Sequence, residues 1–438
     1  MPSDPLTYTC TCSASLPPDG PSYEPGVVLL FYRYFTSPPA LPSPYSAITS
    51  PSTSDPLTQY TLSSLHAFQK STCELLSLTG KLRISKEGFN ITVAGSTSSI
   101  NRYISACISH WSFAGLSLSP DDEEGIKKFF KPTPGCACVF SHLNIRITDE
   151  ITPLGLTNYS PQNWDSVVYL SPEEFHNAII TSSSNSESGE VENQTQTLLL
   201  DIRNHYESRI GYFSPSPSPS LSPSSQIPTL KPQIRRFSQF PAFVKKHMMH
   251  PTDTAPKTIY SYCTGGIRCE KATRWIAEQK PADRIFTLQG GISAYMTWFE
   301  EEVKEGRRRK EECLWRGREY VFDARGSLGL GLGIGEKSEK VATCHGCGKA
   351  EDRLGKCMME GCELVLVVCE ECGDVKCCDD CGEMNEKGKR GICSCERERE
   401  LRLWGPQGMK SVQVKTPKGR KNRNNVDNID IKISKMIC

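Results

Sequence analysis

No stretch of this 438-residue chain is long and apolar enough to cross a membrane; its clearest apolar runs, residues 27–32 and 364–368, are the length of single strands. Charge of one sign is not in excess either. Lys and Arg number 51 against 50 Asp and Glu, so the molecule is not a polycation, and any nucleic-acid contact must come from local patches. No Lys or Arg precedes Arg33, which argues against a secretory signal and against an Arg-rich transit peptide. The expected location is the cytoplasm, with an organelle as the alternative because the leading segment is rich in Ser, Thr and Pro. Residues 341–400 contain no Phe, Tyr or Trp, so a metal-free core there would be hard to stabilise.

What that last segment does contain is cysteine. Eleven of the 21 cysteines fall between Cys344 and Cys395. They make four pairs, Cys344/Cys347, Cys357/Cys362, Cys369/Cys372 and Cys378/Cys381, and two pairs complete one closed four-thiolate zinc site. Four pairs make two structural Zn²⁺ sites. If the pairs interleave, the first and third share one ion and the second and fourth the other; sequential pairing is the alternative, and Cys377 could replace Cys378. Such crowding points to metal in a reducing compartment rather than to disulfides.

The most informative loop is Cys263-Thr264-Gly265-Gly266-Ile267-Arg268. An apolar strand pattern at residues 258–262 enters it and a helical pattern at residues 269–279 leaves it. The glycines allow successive N–H groups to point inward, and the helix N-terminus adds positive potential, so the turn forms an anion nest. A cysteine at its start, facing those dipoles and Arg268, should be a thiolate and a nucleophile near neutral pH. Cysteine phosphatases place five residues between Cys and Arg; four give a tighter ring, suited to a terminal sulfur, as in rhodanese-type sulfurtransferases, which this loop resembles.

Along the chain, residues 1–23 read as disordered. Residues 24–152 follow the order strand, helix, strand, strand, helix, strand, with strands at 27–32, 81–84, 91–95 and 139–147 and helices at 59–79 and 98–110; this is a ferredoxin-like, acylphosphatase-like α+β sandwich. Residues 163–305 alternate strands and helices, with strands at 167–170, 197–200, 258–262 and 285–288, which indicates an α/β parallel sheet interrupted by low-complexity inserts at 181–193 and 214–225. The Cys263 loop then lies at the carboxyl end of a strand, where open parallel sheets bind ligands. A linker over 306–340 carries alternating glycines from Gly329 to Gly335 that lack nucleotide-binding spacing. The zinc region spans 341–400, and 401–438 is a basic tail that could contact nucleic-acid phosphates or simply be solvated.

Several strings resemble one family, the rhodanese-containing, oxygen-dependent tRNA uridine hydroxylases and related eukaryotic rhodanese-domain proteins. They are residues 262–272 around the loop, Lys86-Glu87-Gly88-Phe89-Asn90 with the five residues after it, Asp201-Ile202-Arg203-Asn204-His205-Tyr206-Glu207, residues 237–241, Leu288-Gln289-Gly290-Gly291-Ile292, Tyr320-Val321-Phe322-Asp323-Ala324-Arg325, and the cysteine cluster. The similarity covers about residues 26–382; Ile91 and the Ser/Pro insert depart from the family pattern, and residues 383–438 have no counterpart. It implies a multidomain α+β and α/β protein that hydroxylates wobble uridine of tRNA to 5-hydroxyuridine with molecular oxygen as co-substrate. Thiosulfate or persulfide sulfurtransfer is the alternative, and a non-catalytic zinc adaptor a third reading disfavoured by the intact Cys263 and Arg268.

On the matched positions, Cys263 would be nucleophile or persulfide carrier and Arg268 the anion partner, with Asp201 and Arg203 at a neighbouring strand end, where Asp201 would brace the loop rather than move protons. Cys269 would resolve a persulfide or simply pack. A facial iron triad would need His205 and Glu207 with a third ligand such as His247 or His250; His205 reads better as a surface histidine, so no dedicated redox metal is expected. Protein partners are not identifiable.

Overall fold

The computed structural model describes residues 26–401 apart from 50–59, 157–158, 185–196, 215–226, 250–257, 280–281, 331–338 and scattered positions between 360 and 399. The leading segment, the basic tail and most of both low-complexity inserts therefore lie outside the described residues.

The first layer is a five-stranded sheet with order β4-β1-β3-β2-β5. Its elements run β1 (Gly26–Tyr34), α1 (Leu62–Leu75), β2 (Thr79–Ser85), β3 (Gly88–Ser96), α2 (Thr97–Ile108), α3 (Glu123–Phe130), β4 (Thr133–Pro134) and β5 (Leu143–Ile147). Period-two alternation along β1 decides what each face does. Leu29 and Phe31 point into a core shared with Leu65, Ile100, Tyr103 and Phe130 from the helices. Leu30, Tyr32 and Tyr34 point the other way, toward the Cys263 loop. Two expectations are corrected here. Residues 137–139 form a helical turn rather than the start of a strand, and the final strand pairs parallel with β2. The ferredoxin-like fourth position beside β1 is filled by the two-residue β4. The first helix is also shorter than the 59–79 expected, because Thr79 already belongs to β2.

The second sheet is wholly parallel, in the order β6-β11-β10-β7-β9. It comprises β6 (Val168–Leu170), β7 (Thr197–Asp201), β9 (Thr229–Leu230), β10 (Thr258–Tyr262) and β11 (Arg284–Leu288), with α4 (Pro172–Ser184), α5 (His205–Ile210), α6 (Phe240–His247), α7 (Ile267–Gln279) and α8 (Gly291–Lys304) between and after the strands. Helices cover both faces: α4 and α8 pack on one, α6 and α7 on the other. That explains why β10, the central strand, is buried along its whole length, its polar Thr258 and Ser261 included. The two-residue β9 carries too little pattern to be expected from sequence.

The chain then returns through β12 (Trp315–Gly317), paired with β8 (Gly211–Phe213), and through the short hairpin β13 (Glu319–Tyr320) and β14 (Ser327–Leu328). The cysteine-rich region has one further hairpin, β15 (Leu354–Lys356) with β16 (Val365–Val367), and a helix, α9 (Asp379–Glu386). Among the described residues no helix is long and apolar enough to cross a membrane. The one disulfide among them, Cys136–Cys138, involves none of the C-terminal cysteines.

Candidate functional site

Cys263 follows the last residue of β10, and the turn to α7 wraps its sulfur. The Gly266 N–H donates to Cys263 Sγ at 3.2 Å. Gly266 has φ +100°, and a Cβ there would stand 2.6 Å from the Tyr32 hydroxyl, so glycine is required both by conformation and by the close approach of the first sheet. Gly291, at φ +70°, is equally constrained: it starts α8 against the carbonyls of Cys263 and Thr264, which accept the backbone N–H groups of Ile292 and Ser293 at 3.0 and 3.1 Å. The loop is thus held at both ends by helix N-termini.

Burial alone would push the Cys263 thiol up. The Cys269 thiol, the Arg268 guanidinium and the backbone N–H groups of Cys269 and Arg268 outweigh burial and bring it down to about 6. Cys269 is itself buried, and burial together with its hydrogen bond to the Cys263 sulfur moves its own thiol well above the usual value. The two sulfurs act as a donor–acceptor pair, with Cys263 the thiolate.

Arg268 is engaged rather than left open to an incoming anion. Its Nη1 and Nη2 donate to the two carboxylate oxygens of Glu207 at 2.6 and 2.7 Å, and Nη2 also donates to Thr264 Oγ1 at 3.0 Å. Burial would raise the Glu207 carboxyl, but Arg268, Arg203 and the Asn204 N–H hold it below the ordinary range. Glu207, considered from the sequence only as a carboxylate of an iron triad, is instead the partner of Arg268, a role the sequence reading missed. The available signal was the Asn204-x-x-Glu207 capping box that opens α5. His205, read as a surface residue, is instead buried, with Nδ1 3.0 Å from the Ile234 carbonyl; His247 lies exposed on α6 and His250 is outside the described residues. His205 and Glu207 are therefore committed to other partners.

Asp201 and Arg203 form a fully buried pair at 2.6 Å, and Arg203 also donates to the Gly211 carbonyl at 2.7 Å. Asp201 sits opposite Tyr262 in the β10–β7 register, and the Arg203 guanidinium lies 5.6 Å from the centre of the Tyr262 ring. The pair braces the strand end that precedes Cys263.

The first sheet closes over the loop. Tyr32 donates to Glu270 Oε1 at 3.0 Å, Tyr34 to the Ile267 carbonyl at 3.4 Å, and Lys271, fully buried in α7, reaches Glu87 at 2.9 Å and Glu150 at 2.5 Å. Lys131, in a left-handed conformation at the end of α3, places its ammonium 5.2 Å from the centre of the Tyr32 ring; burial lowers it to about 8, with Glu270 and Cys263 pulling the other way. From the far side, Phe322 stands 5.9 Å from the Arg268 guanidinium, half exposed, in a row with Tyr320 and Tyr206 whose ring centres are 4.8 and 5.2 Å apart. Arg325, two residues beyond Asp323 and paired with it, donates to Thr133 Oγ1 and to the Pro134 carbonyl. Residues from strings far apart in sequence meet on the Cys263 loop and α7: Glu87 on Lys271, Glu207 and Phe322 on Arg268, and Gly291 against the carbonyls of Cys263 and Thr264.

In the cysteine-rich region Cys344, Cys347, Cys369 and Cys372 converge as one group able to hold a metal ion, which is the interleaved arrangement. The second convergence differs in detail from the expected Cys357, Cys362, Cys378 and Cys381: Cys377 takes the place of Cys378, and Cys378 joins Cys393 in a further group with Cys377 and Cys381. A Cys-Cys dipeptide offers both thiols, and only the fold decides between them.

A thiolate nest at the carboxyl end of a central parallel strand, closed by an acylphosphatase-like sheet and followed by cysteine groups able to hold metal ions, defines a rhodanese-type protein with two accessory regions. Residues 56–151 match the family described as UPF0176 acylphosphatase like domain, and residues 316–396 the family described as Rhodanase C-terminal, so the similarity extends past residue 382. The chain is 30% identical over 338 residues to the tRNA uridine(34) hydroxylase of Sinorhizobium fredii, covering 76% of this chain and 88% of the relative. It is 31% identical over 312 residues to the protein of the same name from Agrobacterium fabrum, covering 70% and 80%. Rhodanese-like domain-containing protein 6 of Arabidopsis thaliana is 28% identical over 333 residues, 73% of this chain but only 50% of that longer relative. The chain belongs to the tRNA uridine(34) hydroxylase family.

Proposed function

We propose that this protein hydroxylates the wobble uridine of tRNA to 5-hydroxyuridine, with molecular oxygen as co-substrate and the Cys263 thiolate as the essential nucleophile. The observation that carries this reading is the convergence of strings that resemble the family on the Cys263 loop and the start of α7, with Glu207 and Phe322 on Arg268 and Glu87 on Lys271, together with the two bacterial relatives that bear that activity in their name. The sulfurtransferase reading draws on the nest alone and leaves the other strings without a task.

The residues divide the work. Arg268 and Glu207 hold the loop in its thiolate-stabilising form, Asp201 and Arg203 fix the strand end beneath it, and Lys131 is the cation left available to an anion because Arg268 is engaged. The half-exposed Phe322, with Tyr320 and Tyr206 behind it, offers the stacking surface by which single-stranded RNA bases are held. Zinc in the C-terminal thiolate groups is structural, the chemistry of an all-sulfur closed site. The setting is the cytoplasm, where tRNA and reduced thiols coexist.

The test is nucleoside mass spectrometry of tRNA from cells lacking the protein, complemented with wild type or with Cys263→Ser. Loss of 5-hydroxyuridine restored only by wild type supports the reading. Unchanged 5-hydroxyuridine in the deletion overturns it, and a thiosulfate-dependent persulfide on Cys263 in that case would favour the sulfurtransferase.

A further inference from the structure

Two of the cysteine groups overlap. Cys357, Cys362, Cys377 and Cys381 form one, Cys377, Cys378, Cys381 and Cys393 the other, and Cys377 and Cys381 belong to both. A closed thiolate site takes four ligands per Zn²⁺. One ion would leave two of these six converging thiols unused, and two independent ions would need two more than the two groups supply. The ligand number closes when two sulfurs each serve two ions. We propose that these six residues form a binuclear, thiolate-bridged zinc centre, in which Cys357 and Cys362 are terminal on one ion, Cys378 and Cys393 are terminal on the other, and Cys377 and Cys381 bridge. With the separate group of Cys344, Cys347, Cys369 and Cys372, the chain carries three zinc ions, one for each group.

The sulfur positions single out the bridging pair. Zn–S bonds of about 2.3 Å place the sulfurs of a regular tetrahedron about 3.8 Å apart. Cys347 and Cys369, in the separate group, are 3.7 Å apart. Within the overlapping groups Cys377 lies 3.8 Å from Cys362, 3.8 Å from Cys378 and 3.7 Å from Cys393, so one sulfur stands at ligand spacing from terminal residues of both ions. Its distance to Cys381 is shorter, 3.3 Å. In a four-membered ring of two metals and two sulfurs the metals repel, the S–metal–S angle closes below the tetrahedral value, and the bridging sulfurs approach each other. The contracted spacing falls on the two residues that ligand counting requires to be shared.

The centre also touches the catalytic framework. The Cys362 carbonyl accepts from Arg235 Nη2 at 2.7 Å, next to Ile234, whose carbonyl accepts the backbone N–H of His205 at the head of α5. That helix carries Glu207, the partner of Arg268.

Full-length protein purified without chelator should contain three zinc ions per chain by elemental analysis, and its zinc X-ray absorption should show a metal–metal shell besides the sulfur shell. Cys393→Ser should lower the zinc content and abolish the metal–metal shell. Cys347→Ser, in the separate group, should lower zinc content while keeping that shell. Two zinc ions per wild-type chain, three without a metal–metal shell, or iron with inorganic sulfide would each overturn the proposal. So would a metal–metal shell that survives Cys393→Ser. The wild-type measurements decide the matter even if a variant fails to fold, and neither depends on whether the enzyme hydroxylates tRNA.

Discussion

Seventeen buried side chains pack between the parallel sheet and helices α6 and α7, and two of them, Cys263 and Cys269, are cysteines; around β15 and β16, six of nine are. The first region contains Phe237, Phe240, Phe243 and Trp275, large enough to bury a stabilising apolar area without help. Among the described residues, the second buries Met359, Leu366 and Val368 beside its sulfurs, with Leu364, Val375 and Met384 packed against them and no aromatic side chain. Cysteine therefore means opposite things in the two places. In the sheet a self-sufficient core holds the Cys263 thiol buried and, against that burial, lowered to about 6 by Cys269, Arg268 and backbone N–H groups. In the C-terminal region sulfur makes up most of the core, in groups able to hold metal ions.

The largest expected effect separates the two regions outright. Stripping metal from the full chain should remove about 10–16 kcal/mol of apparent stabilisation per structural zinc at neutral pH. Hydrogen exchange should then show the Val365–Val367 amides unprotected while those of Thr258–Tyr262 stay protected. Equal loss in both would mean that the regions fold as one unit, and no loss in either would mean that metal is not what holds the second.

Next in size is the buried charge that the sheet tolerates. Glu207→Ala leaves Arg268 uncompensated and should cost about 3–5 kcal/mol in denaturant unfolding. A cost under about 1 kcal/mol, the scale of a surface pair, would show that the pair is not a supporting element. Phe322→Ala, at a half-exposed position, should leave stability unchanged and weaken tRNA binding by about 1–3 kcal/mol if the ring stacks a base. Unchanged binding would remove Phe322 from the recognition surface.

How much of this the sequence made legible follows from range. The strand–turn–helix around Cys263 is a local pattern, and its glycines, nest and nucleophile could all be read from residues 258–279. The Arg268–Glu207 and Lys271–Glu87 pairs could not, because each depends on how separate elements cross. The same limit hid the burial of His205 and the short strand Thr133–Pro134, which exists only because β1 offers it an edge. The choice between Cys377 and Cys378, and the arrival of Cys393, needed the fold for the same reason.

Smaller effects probe the sulfur itself. Thiolate is the reactive form, so persulfide formation at Cys263 should be independent of pH above neutrality and fall as pH drops through about 6. A midpoint near the ordinary thiol value of 9.0 would mean that Cys269, Arg268 and the backbone N–H groups do not outweigh burial. Tyr32→Phe removes only the hydroxyl bond to Glu270 and should cost about 0.5–1.5 kcal/mol of stability.

The most direct measurement is an assay of the purified full-length protein on unmodified tRNA under isotope-labelled molecular oxygen, with the nucleosides analysed by mass spectrometry. Labelled 5-hydroxyuridine at the wobble position with wild type, and none with Cys263→Ser, is the predicted result. Unlabelled product, no product from wild type in the presence of a reductant, or equal product from Cys263→Ser would contradict it.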